Sequence, residues 1–195
     1  MTVEEVTRRK RELRRDRRIR RAELVPTERA RASADAARHL LELPEVTGRR
    51  LVAFYAPLGD EADPLPAART LLRRGASIAL PRVEATELVL VATPDLDALS
   101  TGYRGVREPL GPAVDPAAVA AIVVPGVAFD RFGGRLGQGG GHYDRLLAAL
   151  PRDITRIGFC FACQLVAEVP SSPHDELVDV VVTEEGVIRI RPVVA

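Results

Sequence analysis

The sequence predicts an α/β fold: a three-layer α/β/α sandwich with a mostly parallel sheet and an N-terminal helical arm. From residue 50 onward, short apolar runs typical of strands alternate with helical segments. That order favours a parallel sheet covered by helices on both faces. Before this region, residues 3–24 are polar and contain no glycine or proline, which predicts a separate helix. The length of 195 residues fits one domain, so we expect a single domain over residues 1–195.

Two helices are predicted before the first strand. The first covers residues 3–24. Pro26 and Thr27 end that pattern, and Thr27 is the predicted N-cap of the second helix, because a threonine hydroxyl can accept a hydrogen bond from the first helical turn. The second helix is expected to run to about Leu43, since Pro44 follows.

The rest of the chain is predicted to alternate strands with helices. Residues 94–116 are rich in glycine and proline and are predicted to be a loop with short turns. A hairpin is expected within 177–190, with its turn at Glu185 and Gly186. The other predicted strands are 50–57, 77–83, 88–93, 119–129 and 155–164, and the predicted helices are 65–74 and 143–150.

Positive charge is concentrated in the first helix. Residues 8–21 read RRKRELRRDRRIRR, although the net charge of the whole chain is only +1. Such a block indicates an anionic partner, a solvated helix face or salt-dependent attraction to nucleic acid. The block has no aromatic residue to stack on bases, which disfavours recognition of single strands. Lys10 is the one lysine among 28 basic residues, which suggests a role for a compact ammonium group.

The sequence gives no sign of membrane insertion or export. No apolar run approaches the ~20 residues that a membrane-spanning helix needs. The N-terminal segment mixes acidic with basic residues and lacks an apolar centre, which argues against a signal peptide. We therefore expect a cytoplasmic protein with no membrane partner.

Cys160 and Cys163 form a C-x-x-C pair within an apolar stretch. A metal site would need two further ligands, and besides carboxylates only His39, His142 and His174 could supply them. In a buried strand, residues three apart face opposite sides of the sheet. The pair is therefore interpreted as two buried thiols, with metal or redox roles as the alternatives.

The segment 130–147, DRFGGRLGQGGGHYDRLL, holds six of the fifteen glycines. It is predicted to lie between a strand and a helix, where open α/β sheets bind ligands and where helix N-termini attract anions. The dinucleotide pattern G-x-G-x-x-G fails because His142 occupies the last glycine position, and the P-loop pattern fails because no lysine follows. The segment is either a phosphate-binding loop of another kind, which Arg135 favours, or a flexible loop. Asp144 is either a helix-terminal acid or a magnesium ligand.

The stretch VPGVAFDRFGGRLGQGGGHYDRLL resembles the signature of the 5-formyltetrahydrofolate cyclo-ligase family. Three further stretches match that family in order: KRELR at 10–14, PLGDEAD at 57–63 and EVPSSPHDELVDVVVTE at 168–184, and REPL at 107–110 fits a short E-P element of the family. The resemblance covers nearly the whole chain, and its long gapped motif is highly specific. It implies an α/β/α fold, in agreement with the prediction from the residues.

The resemblance also implies roles for individual residues. Lys10 and Arg135 are expected to be catalytic, and Asp144 and Asp175 to bind Mg²⁺. Substrate binding is expected from Ala56, Glu61, Gln138, Gly139, Gly140, Gly141 and His142. ATP binding is expected from Lys10, Arg11, Glu12, Leu13, Arg14, Arg135, Leu136, Gly137, Gln138, Gly139, Gly140, Gly141, His142 and Tyr143.

Three positions depart from the family pattern. His142 stands where the first of two tyrosines is usual, and Gln138 stands where tyrosine or arginine is common. Asp63 is followed by Pro64, where the family has Asp-Thr. These changes bear on the folate pocket rather than on the reaction.

The implied activity is ATP- and Mg²⁺-dependent cyclisation of 5-formyltetrahydrofolate to 5,10-methenyltetrahydrofolate, with release of ADP and phosphate. The expected partners are these small molecules, with no nucleic acid and no membrane, and the protein is expected to be a monomer. Two alternatives stay open: a nucleotide-binding relative of the same fold with another substrate, and a nucleic-acid-binding module built on the basic helix.

Overall fold

The computed structural model describes residues 2–48 and 51–190. The predicted strand 50–57 begins at Arg50, which lies outside these residues. The α-helices are α1 (Val3–Glu23), α2 (Pro26–Leu40), α3 (Pro44–Thr47), α4 (Leu65–Arg73) and α5 (His142–Ala149). The strands are β1 (Leu51–Ala53), β2 (Ile78–Glu84), β3 (Glu87–Ala92), β4 (Ser100–Thr101), β5 (Arg107–Glu108), β6 (Val119–Val124), β7 (Ala128–Asp130), β8 (Arg135–Leu136), β9 (Thr155–Phe159), β10 (Leu165–Val166), β11 (Val180–Thr183) and β12 (Gly186–Arg189).

A seven-stranded sheet with the order β12-β11-β9-β6-β1-β2-β3 forms the centre of the fold. Its four inner pairings are parallel, and only the edge strands β3 and β12 run antiparallel to their neighbours. A smaller sheet has the order β10-β7-β8, and β4 pairs with β5. The large, mostly parallel sheet confirms the predicted α/β class.

Helices pack on both faces of the large sheet. Leu40 of α2 and Leu71 of α4 share one buried cluster with Val52 of β1. Ala53, the next residue of β1, belongs instead to the cluster that contains Leu147 of α5. Because successive strand residues point to opposite faces, α2 and α4 cover one face and α5 covers the other.

The N-terminal arm is docked against the rest of the chain. Helix α1 begins after Thr2, whose hydroxyl accepts a hydrogen bond from the Glu5 amide at 3.2 Å. Arg17 donates to the carbonyl of Cys163 at 2.9 Å, and the buried Arg21 pairs with Asp60 at 2.6 Å. Arginines that look solvated in the sequence therefore fix the helix in place.

The second helix starts earlier than predicted, and Thr27 is not its N-cap. The N-cap is Val25, and Pro26 occupies the first helical position. Proline is tolerated there because an amide hydrogen at this position makes no hydrogen bond within the helix. The Glu28 carboxylate accepts from the Val25 amide at 3.1 Å. The helix ends at Leu40 instead of reaching Leu43, and α3 begins separately at Pro44.

The predicted strand 119–129 is in fact two strands in different sheets. β6 belongs to the large sheet and β7 to the small one, with a break at residues 125–127. Pro125 has no amide hydrogen to continue the ladder. Gln164 donates to the carbonyls of Gly126 at 2.8 Å and Val127 at 3.2 Å, which satisfies the broken segment from outside.

Other boundaries shift in smaller ways. Residues 94–116 contain the short pair β4–β5 and a 3₁₀ turn at Tyr103–Gly105, in addition to loop. The strand predicted at 155–164 ends at Phe159 and is followed by a 3₁₀ turn at Ala162–Gln164. The hairpin within 177–190 is confirmed, because β11 and β12 pair antiparallel, but its turn is at Glu184 and Glu185 and not at Glu185 and Gly186, since Gly186 already pairs with Thr183.

The two cysteines are unpaired thiols. Cys160 is fully buried, whereas Cys163 is half-buried, so the expectation of two buried thiols holds fully only for the first. Burial, and then the charge of Glu184, raise the pKa of both thiols, which keeps them protonated. Within residues 2–48 and 51–190, no group of three or more histidine, cysteine or acidic side chains could hold a metal ion.

In the part of the chain that the structure describes, no helix is long and apolar enough to cross a membrane. The expectation of one domain over residues 1–195 stays a prediction, supported by a sheet whose strands run from Leu51 to Arg189.

Candidate active site

A cavity of about 850 Å³ opens at the carboxyl ends of two neighbouring parallel strands. Tyr55 and Ala56, just after β1, and Pro125 and Gly126, just after β6, line it. From β1 the chain continues to β2 on one side, and from β6 to β9 on the other. The cavity therefore lies at the switch point where α/β sheets bind ligands, and its volume suits organic substrates.

The glycine-rich loop, residues 137–141, forms one wall between β8 and α5. Gly139 has φ +107° and Gly141 has φ +70°, backbone conformations that side chains other than glycine rarely adopt. Gly141 is also the N-cap of α5, so the helix begins at the cavity. The glycines thus allow a tight turn into a helix N-terminus.

Each alternate glycine of the loop has an arginine as its nearest outside neighbour. A methyl group added to Gly137 would meet Arg135 Nη1 at 3.0 Å, one added to Gly139 would meet Arg14 Cζ at 3.6 Å, and one added to Gly141 would meet Arg145 Nη1 at 2.7 Å. The three arginines come from β8, α1 and α5. Guanidinium groups from three different elements therefore lie next to the loop.

Helix α1 contributes Lys10 and Arg14, which lie four residues apart on one helical face. Lys10 Nζ donates to Ser172 Oγ at 3.0 Å and forms an ion pair with Asp175. Arg14 Nε donates to the Gly137 carbonyl at 2.8 Å. Both predicted cations therefore face the cavity.

The cationic side of the cavity is crowded with like charge. Burial, followed by the nearby charge of Arg18, lowers the pKa of Arg14, while Asp175 and Asp144 raise it. Arg14 still carries its charge at neutral pH, since guanidinium groups titrate far above that range. An anion bound here would relieve the repulsion.

Arg135 is held below the loop with its side chain 1% exposed. Its Nη2 pairs with Asp144 at 2.6 Å and its Nη1 donates to the Pro125 carbonyl at 3.3 Å. Its Nε is buried and, among the described residues, has no hydrogen-bond partner. The guanidinium carbon lies 5.8 Å from the centre of the Tyr143 ring. Arg135 is thus a buried cation with remaining capacity to donate.

The two predicted magnesium ligands, Asp144 and Asp175, both line the cavity. They approach each other through the loop 172–176, where the Glu176 amide donates to Asp144 Oδ1 at 3.4 Å. Mg²⁺ typically takes one or two carboxylates and completes its coordination with water and substrate phosphates. This donor set fits Mg²⁺ bound together with a nucleotide.

The predicted folate edge is also assembled. Gln138 Nε2 donates to Glu61 Oε1 at 3.0 Å, and the Leu58 amide donates to Glu61 Oε2 at 3.0 Å. Arg18, from α1, donates to Gln138 Oε1. Glu61, Gln138 and Ala56 all line the cavity, so residues far apart in sequence meet at one rim.

An aromatic and apolar wall was not anticipated from the sequence. Tyr103 lines the cavity, and its ring lies 5.9 Å from that of His142 at an angle of 59°. The Glu108 carboxylate accepts from the amides of Tyr103 at 3.2 Å and Val83 at 3.3 Å, which ties the β4–β5 segment to β2. The only signal was the stretch REPL, which contains Glu108.

Tyr143, one of the expected ATP-binding residues, lines the cavity beside Arg135. Burial, and then the charge of Glu61, raise its pKa, whereas Arg135 lowers it to a smaller extent. The hydroxyl therefore keeps its proton at neutral pH and can act as a hydrogen-bond donor.

Three of the predicted ATP contacts lie away from the cavity. Arg11 is exposed, Glu12 pairs with Arg8 at 3.2 Å, and Leu13 packs against the small cluster that contains Leu136. The helical period explains this, because the residues between Lys10 and Arg14 point to other faces of α1. The other predicted site residues all line the cavity: Lys10, Arg14, Ala56, Glu61, Arg135, Leu136, Gly137, Gln138, Gly139, Gly140, Gly141, His142, Tyr143, Asp144 and Asp175.

Comparison with known proteins gives a consistent result. The model of the 5-formyltetrahydrofolate cyclo-ligase family matches residues 6–184. A 5-formyltetrahydrofolate cyclo-ligase from Mycolicibacterium smegmatis is 32% identical over 177 residues, which cover 86% of this chain and 90% of that protein. The enzyme of that name from Escherichia coli K12 is 30% identical over 177 residues, or 87% and 97% of the two chains. The NMR structure of 5,10-methenyltetrahydrofolate synthetase from Aquifex aeolicus superposes with a TM-score of 0.84 at 37% identity, over 95% of each chain. The chain therefore belongs to the 5-formyltetrahydrofolate cyclo-ligase family.

Proposed function

We propose that the protein cyclises 5-formyltetrahydrofolate to 5,10-methenyltetrahydrofolate at the expense of ATP, with release of ADP and phosphate. Membership of this ATP-dependent family supports the reaction. The observation that carries the assignment to this cavity is that the guanidinium groups of Arg14 and Arg135 lie against glycines of the loop, next to the N-terminus of α5. Such a loop offers cations and helix N-terminal amides to the same anion, which suits a polyphosphate.

The chemistry explains why ATP is required. The oxygen of the formyl group on N5 is a poor leaving group, so N10 cannot displace it directly. Attack of that oxygen on the γ-phosphorus of ATP forms an O–P bond, releases ADP and leaves an iminium phosphate at the formyl carbon. N10 then attacks this carbon and loses its proton. The C–O bond breaks, and the formyl oxygen leaves as part of inorganic phosphate.

Phosphoryl transfer asks the protein mainly for alignment and charge neutralisation. Lys10, Arg14 and Arg135 face the cavity beside the glycine loop, and these are the cations we assign to the phosphates. Lys10 and Arg135 lie next to Asp175 and Asp144, so each cation is already oriented by a carboxylate. No nucleophilic side chain is needed in this scheme.

We assign Mg²⁺ to Asp144 and Asp175. When bound there, the ion would neutralise charge on the phosphates of ATP. In the structure, Asp144 pairs with Arg135 and Asp175 pairs with Lys10, and these ion pairs keep the two carboxylates in position.

The folate is assigned to the rim formed by Ala56, Glu61, Gln138 and His142. Glu61 is fixed by two hydrogen bonds, from Leu58 and Gln138, and so presents a carboxylate in one orientation. A fixed carboxylate at the rim of the cavity suits the N–H donors of a pterin.

Several expectations about partners stay predictions. The family acts on small molecules, and we propose a cytoplasmic monomer that binds neither nucleic acid nor membrane. Sedimentation of the purified protein, and titration with DNA and RNA at low salt, would test these points.

The direct test is turnover by the purified protein with 5-formyltetrahydrofolate, ATP and Mg²⁺. We expect formation of 5,10-methenyltetrahydrofolate, which is monitored by its absorbance, and release of one ADP for each product molecule. Omission of ATP or addition of a chelator should stop the reaction. A protein that binds nucleotide but forms no methenyl product would contradict the proposal.

A further inference from the structure

One guanidinium connects the glycine loop to a different part of the fold. Arg145, in the first turn of α5, donates from Nη1 to the Gly140 carbonyl at 3.2 Å and from Nη2 to the Thr86 carbonyl at 2.8 Å. Its Nε lies 3.0 and 3.1 Å from the two carboxylate oxygens of Glu87. His142 Nδ1 is 3.5 Å from Nη2. The glycine loop is thus tied to the turn between β2 and β3.

The turn that Arg145 contacts contains a residue with an unfavourable backbone conformation. Residues 85 and 86 form a two-residue hairpin loop, since Glu84 and Glu87 are paired in register. Ala85 has φ +54°, a left-handed conformation that disfavours every residue with a Cβ atom. The Thr86 carbonyl and the Glu87 carboxylate, which follow this residue, both accept from the same guanidinium.

The position of Arg145 near the N-terminus of α5 is electrostatically unfavourable. A cation in the first turn of a helix is disfavoured by the helix dipole. Arg14 and Arg135 already place positive charge on the same loop. An ion pair as exposed as this one, 43% for Arg145 and 54% for Glu87, contributes little to folding. Folding stability therefore does not explain why the contact is there.

We propose that Arg145 and Glu87 are positioning residues that hold the glycine loop in its ligand-binding conformation. Glu87 orients the guanidinium from outside the cavity, because Arg145 lines the cavity and Glu87 does not. The guanidinium then fixes the Gly140 carbonyl, and Nη1 lies next to Gly141, where a φ of +70° favours glycine. This inference rests on the proposed phosphate-binding role of the loop.

The variants Arg145→Ala, Arg145→Lys, Glu87→Gln and the double variant Arg145→Ala/Glu87→Gln test the proposal. The measurements are kcat, the KM for ATP, the Kd for MgADP by calorimetry and the melting temperature. The matched control is the pair Arg69→Ala and Asp97→Asn, which breaks another exposed two-point arginine–carboxylate contact whose residues do not line the cavity.

We expect Arg145→Ala and Glu87→Gln to raise the KM for ATP and the Kd for MgADP in the same direction, by roughly 10-fold, because small misplacements of binding groups are costly. The double variant should be no worse than Arg145→Ala alone, since both act through one contact. Arg145→Lys should not rescue, because one ammonium cannot reach Gly140, Thr86 and Glu87 together. The control pair should leave both constants unchanged.

Two results would overturn the inference. If Glu87→Gln is silent while Arg145→Lys restores binding, Arg145 acts as a charge on the ligand and not through the loop. If the melting temperature falls but the KM for ATP and the Kd for MgADP stay as in the parent, the contact is structural only. A parent protein that binds MgADP but makes no methenyl product would overturn the proposed function instead. The Kd comparison would then still decide the role of Glu87.

Discussion

Arg135 and Asp144 form a salt bridge of 2.6 Å in which the arginine side chain is 1% exposed and the aspartate side chain 24% exposed. The carboxylate therefore balances a buried charge and also faces the cavity. The same residue is the proposed magnesium ligand, so its replacement should affect stability and metal dependence together.

Asp144→Asn should lower the free energy of unfolding by about 1–3 kcal/mol, because a buried donor loses its charged partner. Activity should fall much further, and the dependence on Mg²⁺ concentration should shift to higher values. Chemical denaturation and a magnesium titration of kcat measure the two effects. Asp175→Asn should reproduce the magnesium effect, because Asp175 is the second proposed ligand and, like Asp144, pairs with a cation. An unchanged magnesium dependence in both variants would remove them from the metal site.

Lys10→Ala should raise the KM for ATP more than the KM for the folate, because the lost ammonium faces the proposed phosphate site. Arg15→Ala is the matched control: it removes one positive charge from the exposed side of the same helix, outside the cavity. Steady-state kinetics with each substrate varied in turn gives both constants. Equal KM values for ATP in the Lys10 variant and the parent would show that Lys10 does not contact the nucleotide.

Gly139→Val should fold yet bind MgATP poorly. Its backbone has φ +107°, and the added side chain would reach toward Arg14, whose Cζ is 3.6 Å from the Cβ position. Gly75→Val is the control, since Gly75 also has positive φ (+82°), lies outside the cavity and would place its Cβ in open space. Both should lose about 1–3 kcal/mol of stability from backbone strain. Only the Gly139 variant should lose nucleotide affinity in calorimetry, and normal affinity there would count against the loop as the phosphate site.

Asp63→Asn should stabilise the protein at neutral pH but not in acid. Burial raises the pKa of Asp63 above 3.8, although the Leu65 amide and Arg69 lower it in part. The folded state therefore holds the proton more tightly than the unfolded chain, so stability is lost as the pH rises from the ordinary pKa of 3.8 to the raised pKa. The gain should grow from pH 3.8 upward and then stay constant.

Asp97→Asn provides the opposite sign for that experiment. The hydrogen bond from Arg69, followed by its charge, lowers the pKa of Asp97, so its ionised form stabilises the folded state. This variant should be only slightly less stable than the parent at neutral pH, because the Arg69–Asp97 pair is exposed, and the small difference should disappear as the pH falls through the lowered pKa. Urea denaturation of both variants from pH 3 to 8 measures the two trends.

Local patterns predicted the elements well. The strand and helix alternation gave the sheet, and the four-residue spacing of Lys10 and Arg14 placed both on the cavity face of α1. The same helical period keeps Arg11, Glu12 and Leu13 away from the cavity. Assigning the whole KRELR motif to the ATP site by resemblance overlooks this periodicity.

Contacts between distant segments could not be read from the sequence. The carbonyls of Gly126 and Val127, at the break in the strand predicted at 119–129, accept hydrogen bonds from Gln164, which lies far along the chain. Tyr103 meets His142 only because Glu108 anchors its segment to β2. Arg145 and Glu87 carry no pattern in common, and only the tertiary fold brings them together.

The fate of the formyl oxygen tests the proposed reaction most directly. The protein would be given 5-formyltetrahydrofolate labelled with ¹⁸O in the formyl group, together with unlabelled ATP and Mg²⁺. If the formyl oxygen attacks the γ-phosphorus and leaves with it, the label appears in inorganic phosphate, one atom for each methenyl product. Mass spectrometry of the released phosphate measures this. Unlabelled phosphate formed alongside the methenyl product would contradict the account.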